Sequence, residues 1–315
     1  MLFRTELTVP AFPFPVNHRH NIMLLGSCFS KNIGTRLQMY KFNCFLNPFG
    51  TVFHPEPIAR LMDYVYFGNM PDPDTWMLSQ GVYVHPDFHS SLGSTDKDSA
   101  VYKTESIIEE MHDKLSSMQY LFITLGTSIG YTFRDDDSVV ANCHKIPAAY
   151  FDGVDSDVHT MTAALQTAIQ RWKTMSPELQ VVCTVSPVRH IKDGIVKNML
   201  SKAKLRLVTD LLCKELPYVS YFPAFEWMMD DLRDYRYYEK DLIHPNEQAV
   251  DYIWEKFSNH FFTDSTRELI QKIDKILKAE QHRPFNPDSD AHQLFVRQLA
   301  SDKAALLRQY PWLNI

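Results

Sequence analysis

Two short strings hold residue types that can do chemistry together. In Asp241-Leu242-Ile243-His244-Pro245 a carboxylate stands three residues before an imidazole. An aspartate at that spacing can curl back to accept from Nδ1–H, which fixes the tautomer and leaves Nε2 free as a base. Pro245 suits the first position of a helix, where its missing N–H costs nothing, so His244 is expected at a helix start. The second string, Gly26-Ser27-Cys28-Phe29-Ser30, sets a hydroxyl and a thiol after a glycine that permits a tight turn. A helix opening there through Lys31, Ile33 and Leu37 would turn its positive end toward them. Each string has a plain structural alternative: a helix-capping histidine beside a solvated aspartate, and a small buried thiol.

The elements that must position these groups are legible in the hydrophobic pattern. Apolar runs at Ile22–Leu25, Tyr120–Leu125, Gln180–Val185 and Tyr218–Phe222 read as strands buried on both faces, with 41–46 as a weaker fifth. Residues 104–118 place Ile107, Ile108, Met111 and Leu115 on one helical face. Residues 198–216 repeat Ala203, Leu207 and Leu211, and the stretch after His244 aligns Val250, Ile253, Trp254, Phe257 and Phe261. Strands alternating with helices predict an α/β domain of three layers, α/β/α, around a parallel sheet. Residues 68–103, rich in Gly, Pro, Asp and Ser, read as an irregular insertion within a domain spanning 1–262. Residues 263–315 read as a helical extension, with Leu269, Ile270, Ile273, Ile276 and Leu277 on one face and a last helix through 294–307. It is expected to pack back on the sheet domain, with a dimerisation arm as the alternative.

Ligands of an open parallel sheet bind at the carboxyl ends of its strands. The segments that follow the strands are therefore the place to look. They read Gly26-Ser27-Cys28, Asn47-Pro48-Phe49-Gly50, Gly126-Thr127-Ser128-Ile129-Gly130, Ser186-Pro187-Val188-Arg189-His190 and, past an acidic stretch, Asp241 to Asn246. Arg189 and His190 could bind a carboxylate or sugar group, and His85 and His89 could sit on a lid supplied by the insertion. A structural or solvated role is the plainer reading of each.

Bulk properties exclude several classes. A net charge of −6 and a pI of about 6.1 argue against a nucleic-acid surface. No apolar stretch reaches the roughly 18 residues of a spanning helix, and Glu6 with the early prolines interrupts any signal-like core. Five cysteines at irregular spacing, without a CxxC pair or an HExxH string, read as reduced thiols of a cytoplasmic protein that uses no metal and no cofactor.

The strings GSCFS, NPFG, LGTS and DLIHPN, in that order, resemble the GSCFA family, a branch of the SGNH/GDSL hydrolases. The likeness spans about residues 20–260 and includes the run FPAFEWMMDDLRDYRYY. The resemblance implies a flavodoxin-like sheet, a nucleophile in the first block, and an Asp/His pair at Asp241 and His244. It implies oxyanion donors near residue 28, at the N–H of Gly50, and in the third block. Apart from the resemblance, Asn47, Gly126, Thr127, Arg189, His190 and His89, on the segments after the strands and in the insertion, are the candidate substrate contacts. Members of the wider superfamily typically read Leu-Gly-Asp-Ser in block one, so Cys28 takes the nucleophile register and Ser27 the aspartate's place; both stay candidates. Ser128 stands where the third block has asparagine, and Asn142 is an alternative donor from a neighbouring loop. The activity implied is hydrolysis of an ester-linked acyl group on a small molecule or carbohydrate. Acyl transfer to a hydroxyl is one alternative, and a non-catalytic binding protein that keeps the pocket is another.

Overall fold

The computed structural model describes residues 5–313. At its centre lies a sheet of five parallel strands: β1 (Asn21–Gly26), β2 (Cys44–Leu46), β5 (Met118–Leu125), β8 (Gln180–Val185) and β9 (Val219–Tyr221). Their spatial order is β2-β1-β5-β8-β9, which reverses direction beside β1. That reversal opens a crevice at the carboxyl ends of β1 and β5, the usual ligand position in this topology. All five expected strands are present, and the weak fifth is the short edge strand β2.

Side chains alternate between two cores, as a doubly covered sheet requires. Met23, Leu25, Leu121, Ile123, Val181 and Cys183 face the layer of α2 (Pro55–Phe67), α3 (Lys97–Leu115), α4 (Val158–Met175) and α5 (Ile195–Glu215). Ile22, Leu24, Tyr120, Phe122 and Val182 face α1 (Cys28–Met39) and α7 (Glu247–Phe261). Ile253, Trp254, Phe257 and Phe261 of α7 are all buried there, each contributing about 1.5–3 kcal/mol. The three-layer α/β/α arrangement is as the sequence predicts.

Three expectations need correction. The segment 68–103 holds an antiparallel hairpin of β3 (Met77–Ser79) and β4 (Val82–Val84), and its last residues already belong to α3. A second hairpin, β6 (Ile129–Phe133) with β7 (Phe151–Asp155), follows the third block. The buried stripe of α5 is not Ala203, Leu207 and Leu211; it runs through Asn198, Ser201, Lys202, Leu205, Val208, Thr209 and Leu212, and Leu207 is exposed. Its polar residues turn inward because the ends of the strands offer them partners.

Between β9 and α7 the chain makes a helical turn, α6 (Ala224–Glu226), and a π-helical turn, Trp227–Asp231. After α7, helix α8 (Asp264–Gln281) joins the sheet domain through Ile270 and a hydrogen bond from the Tyr40 hydroxyl to Asp274. Leu269, Ile273 and Ile276 of α8 pack with Leu306 of α9 (Asp290–Gln309) and Leu313. Among the described residues, no helix is long and apolar enough to cross a membrane.

Candidate active site

Gly26 ends β1 with φ +136°, and any Cβ there would collide with the Thr124 carbonyl of the neighbouring strand. That turn releases the chain into α1, whose N-cap is Ser27. The Ser27 hydroxyl is buried and accepts from the Phe29 N–H at 3.2 Å, so it satisfies one of the helix's orphan donors. Cys28 is the first helical residue and is exposed. A first-turn N–H has no intrahelical acceptor, and among the described residues the Cys28 amide makes no hydrogen bond.

The Asp241–His244 loop is built as its spacing predicts. His244 Nδ1 lies 2.7 Å from Asp241 Oδ2, while Asp241 Oδ1 accepts from the N–H groups of Ile243 and His244 at 2.8 and 3.0 Å. These bonds to His244 and its neighbour hold the Asp241 carboxyl down at about 2. Both side chains are about half exposed. The helix start lies further on: α7 begins at Glu247, its N-cap Asn246 accepts from Ala249 N–H, and Pro245 instead bridges to Tyr238. Arg189 fixes the loop from β8, its N–H donating to the Ile243 carbonyl and its guanidinium to that of Leu242. The guanidinium also lies over the rings of Tyr235 and Tyr238.

His190 sits beside Phe53, with ring centroids 5.0 Å apart, and its N–H donates to Asn198 Oδ1. Burial, with help from the charges of Lys202 and His244, lowers it to about 4, so it is neutral at pH 7. Its Nε2 is buried without a partner among the described residues. Gly126 packs against this ring, and its N–H is held by Phe53 O.

Most residues expected as donors or substrate contacts are instead engaged by the protein. The Gly50 N–H donates to Asn47 O at 2.8 Å, closing a turn, and so does not face an oxyanion. Asn47 Oδ1 accepts from the Gly26 N–H at 2.9 Å, locking the second block to the first. Ser128 is fully buried and its hydroxyl donates to Asp155 Oδ1 at 2.7 Å. Thr127 is buried with its hydroxyl 3.0 Å from that of Ser201. Asn142 accepts from the His144 N–H through Oδ1, and its Nδ2 has no protein partner among the described residues. His89 caps a short turn over Gly50, where a Cβ would strike the His89 side chain. His85 is buried in the insertion and bonded to the Thr75 hydroxyl.

Sequence reasoning missed the inner face of α5. Ser201 Oγ accepts from the Ser128 N–H at 2.7 Å. Lys202 Nζ donates to the carbonyls of Gly126 and Ser186 at 2.6 and 2.8 Å, although this lysine is only 1% exposed. Polar residues at 198, 201 and 202 share one helical face, which is the signal that could have found them. Among the described residues no hydrogen bond joins Ser27 or Cys28 to His244, and no three His, Cys, Asp or Glu side chains gather to hold a metal. All five cysteines are free.

Comparison with known proteins gives two family matches: the GSCFA family over residues 21–257, and the GSCFA domain protein, C-terminal domain, over residues 273–315. No curated protein matches the chain. Among solved structures, the chain is similar to an acetyl xylan esterase from the rumen bacterium Butyrivibrio proteoclasticus, at 10% identity and a TM-score of 0.38. The alignment covers 84% of this chain and 66% of that one, so this chain spans just under two thirds of the esterase's length.

Proposed function

The chain belongs to the GSCFA family, and on that premise we propose that it hydrolyses an ester-linked acyl group of a small molecule or carbohydrate, with Cys28, His244 and Asp241 in the reaction. The observation that carries the reading is the 2.7 Å bond between His244 and Asp241 on a loop at the carboxyl edge of the sheet. It orients the imidazole so that Nε2 points away from the carboxylate and can take a proton. Cys28 is favoured over Ser27 because its thiol is exposed, whereas the Ser27 hydroxyl is buried as a helix cap.

In the proposed reaction Nε2 takes the thiol proton as sulfur attacks the ester carbonyl. Collapse of the tetrahedral intermediate breaks the C–O bond, and the imidazolium returns the proton to the departing alkoxide. Water, deprotonated by the same imidazole, then cleaves the thioester. The Cys28 N–H is one oxyanion donor, and Asn142 Nδ2 is the candidate second.

A specific observation favours a second reading. Gly50 N–H and the Ser128 hydroxyl are both engaged inside the protein, as expected of a non-catalytic binding protein that keeps the pocket. Loss of one oxyanion donor costs about 10²–10³ in rate. Incubation with p-nitrophenyl acetate and butyrate, with and without sugar acceptors, separates the readings. Hydrolysis abolished by His244→Ala supports the hydrolase, acceptor-dependent ester formation supports a transferase, and silence supports a binding protein.

A further inference from the structure

A cavity of about 210 Å³ opens between the amino-terminal half of α5 and the π-helical turn. Met199 comes from α5 and Met228 and Met229 from the π-helical turn, with Phe225 and Leu232 as further apolar lining; of the polar wall, Asn198 accepts from the His190 N–H and Asp234 pairs with Arg236. Single π turns occur often at functional sites, and this one sets two methionines side by side into the space. Methionine is flexible and polarisable and fits irregular apolar groups. Ile195, on the first turn of α5, also lines the cavity and is 55% exposed.

The cationic neighbours are engaged elsewhere. Lys202 Nζ is turned to the Gly126 and Ser186 carbonyls, Arg233 pairs with Asp230, and Arg189 is tied to Leu242 O between two tyrosine rings. Nothing in the lining therefore asks for an anion. Two members of the wall, Arg189 and Tyr238, hold the loop that bears His244, through the Leu242 and Ile243 carbonyls and the bridge to Pro245.

From this placement we propose that the cavity receives the apolar alcohol half of the substrate, an alkyl or aryl group of roughly six to eight carbons. A dry cavity of about 150 Å³ holds a benzene ring, which sets that scale. The choice of the alcohol half rests on the hydrolase reading. His244 must hand its proton to the departing alkoxide, so a pocket walled by Arg189 and Tyr238, the two residues that hold the His244 loop, is assigned to the leaving-group side.

The test uses the full chain with ethyl, butyl, hexyl and octyl acetate, and separately with ethyl acetate, butyrate, hexanoate and octanoate. Met199→Trp and Met229→Trp fill the cavity from opposite walls, and both positions are partly exposed, so thermal melting can establish that the variants fold. Calorimetric binding of 1-hexanol gives a readout independent of turnover. The expected result is a kcat/KM that rises about tenfold to hundredfold from ethyl to hexyl acetate, a rise lost in both variants along with hexanol binding. Dependence on acyl length alone, or alcohol-length profiles unchanged in folded variants, overturns the assignment while the hydrolase reading stands. Absence of turnover with any ester overturns the hydrolase reading; hexanol binding that both variants lose would then support the ligand class, and its absence would overturn that too.

Discussion

Asp241 grips His244 twice, through its backbone N–H at 3.0 Å and through the ring Nδ1 at 2.7 Å, so one carboxylate fixes both the fold of the loop and the orientation of the imidazole. Asparagine at 241 would keep the backbone acceptor but lose the ionised partner of Nδ1–H. Asp241→Asn is expected to lower kcat by about 10²–10⁴, measured on whichever short ester the wild type turns over. The sign of its pH dependence follows from a carboxyl lowered to about 2 from its ordinary 3.8. The link to His244 is fully present above the ordinary value and is lost as pH falls through 2. An acidic limb centred above pH 5 in the wild-type profile therefore cannot belong to Asp241. Equal activity of Asp241→Asn would remove the pair from the mechanism.

Ser27 and Cys28 should separate cleanly, because one caps a helix and the other faces solvent. Ser27→Ala removes the acceptor for Phe29 N–H, which costs about 1 kcal/mol and lowers the melting temperature by about 2–4 °C, with turnover retained. Cys28→Ala should abolish turnover and leave the melting temperature within about 1 °C, because its exposed side chain takes no part in the cap bond between Ser27 and Phe29. Loss of activity in Ser27→Ala with retention in Cys28→Ala would move the nucleophile to Ser27.

Thiol labelling gives an independent view of the same residue. Cys183 is fully buried and its thiol is pushed up, and burial raises Cys44 to about 12. Site-resolved alkylation of the native protein at pH 7.5 should therefore modify Cys28 first. Labelling of Cys44 or Cys183 ahead of Cys28 would contradict the exposed position at the head of α1.

Lys202 makes stability depend on alkaline pH. Burial lowers it from 10.5 to about 7. Between those values the unfolded chain binds more protons than the folded one, so stability attributable to this residue rises with pH across that window. Lys202→Met removes that slope, and it bares the Gly126 and Ser186 carbonyls at about 1–3 kcal/mol each. Melting temperatures of wild type and variant at pH 7, 8.5 and 10 should diverge further as pH rises; parallel curves would show that Lys202 does not titrate in that range.

The sequence makes the strands legible because a two-faced parallel strand needs a mostly apolar run, which Val181, Val182, Cys183 and Val185 supply around a single Thr184. Asp241 and His244 are legible for a local reason: three residues of spacing suffice to bring the groups together. Gly50 is the opposite case. Whether its N–H faces a ligand or the Asn47 carbonyl depends on the turn from 47 to 50, where Asn47 itself has φ +42°. Nor can local spacing show that Ser128 turns inward, since its partner Asp155 arrives across a hairpin. On α5 the hydrophobic pattern misleads, because Asn198, Ser201 and Lys202 are drawn inside by carbonyls, hydroxyls and amides of loops far away in the chain.

That inward face has a kinetic consequence. Amide protons of Ser128 and His190 lie after different strands, yet their acceptors, Ser201 Oγ and Asn198 Oδ1, sit within one turn of the same helix. Each proton is shielded only while its loop stays docked on that turn. Opening the turn frees both at once and also releases Lys202 from the carbonyls of Gly126 and Ser186. The loops after β5 and β8 are thus joined through the start of α5, whose opening would expose both to exchange together.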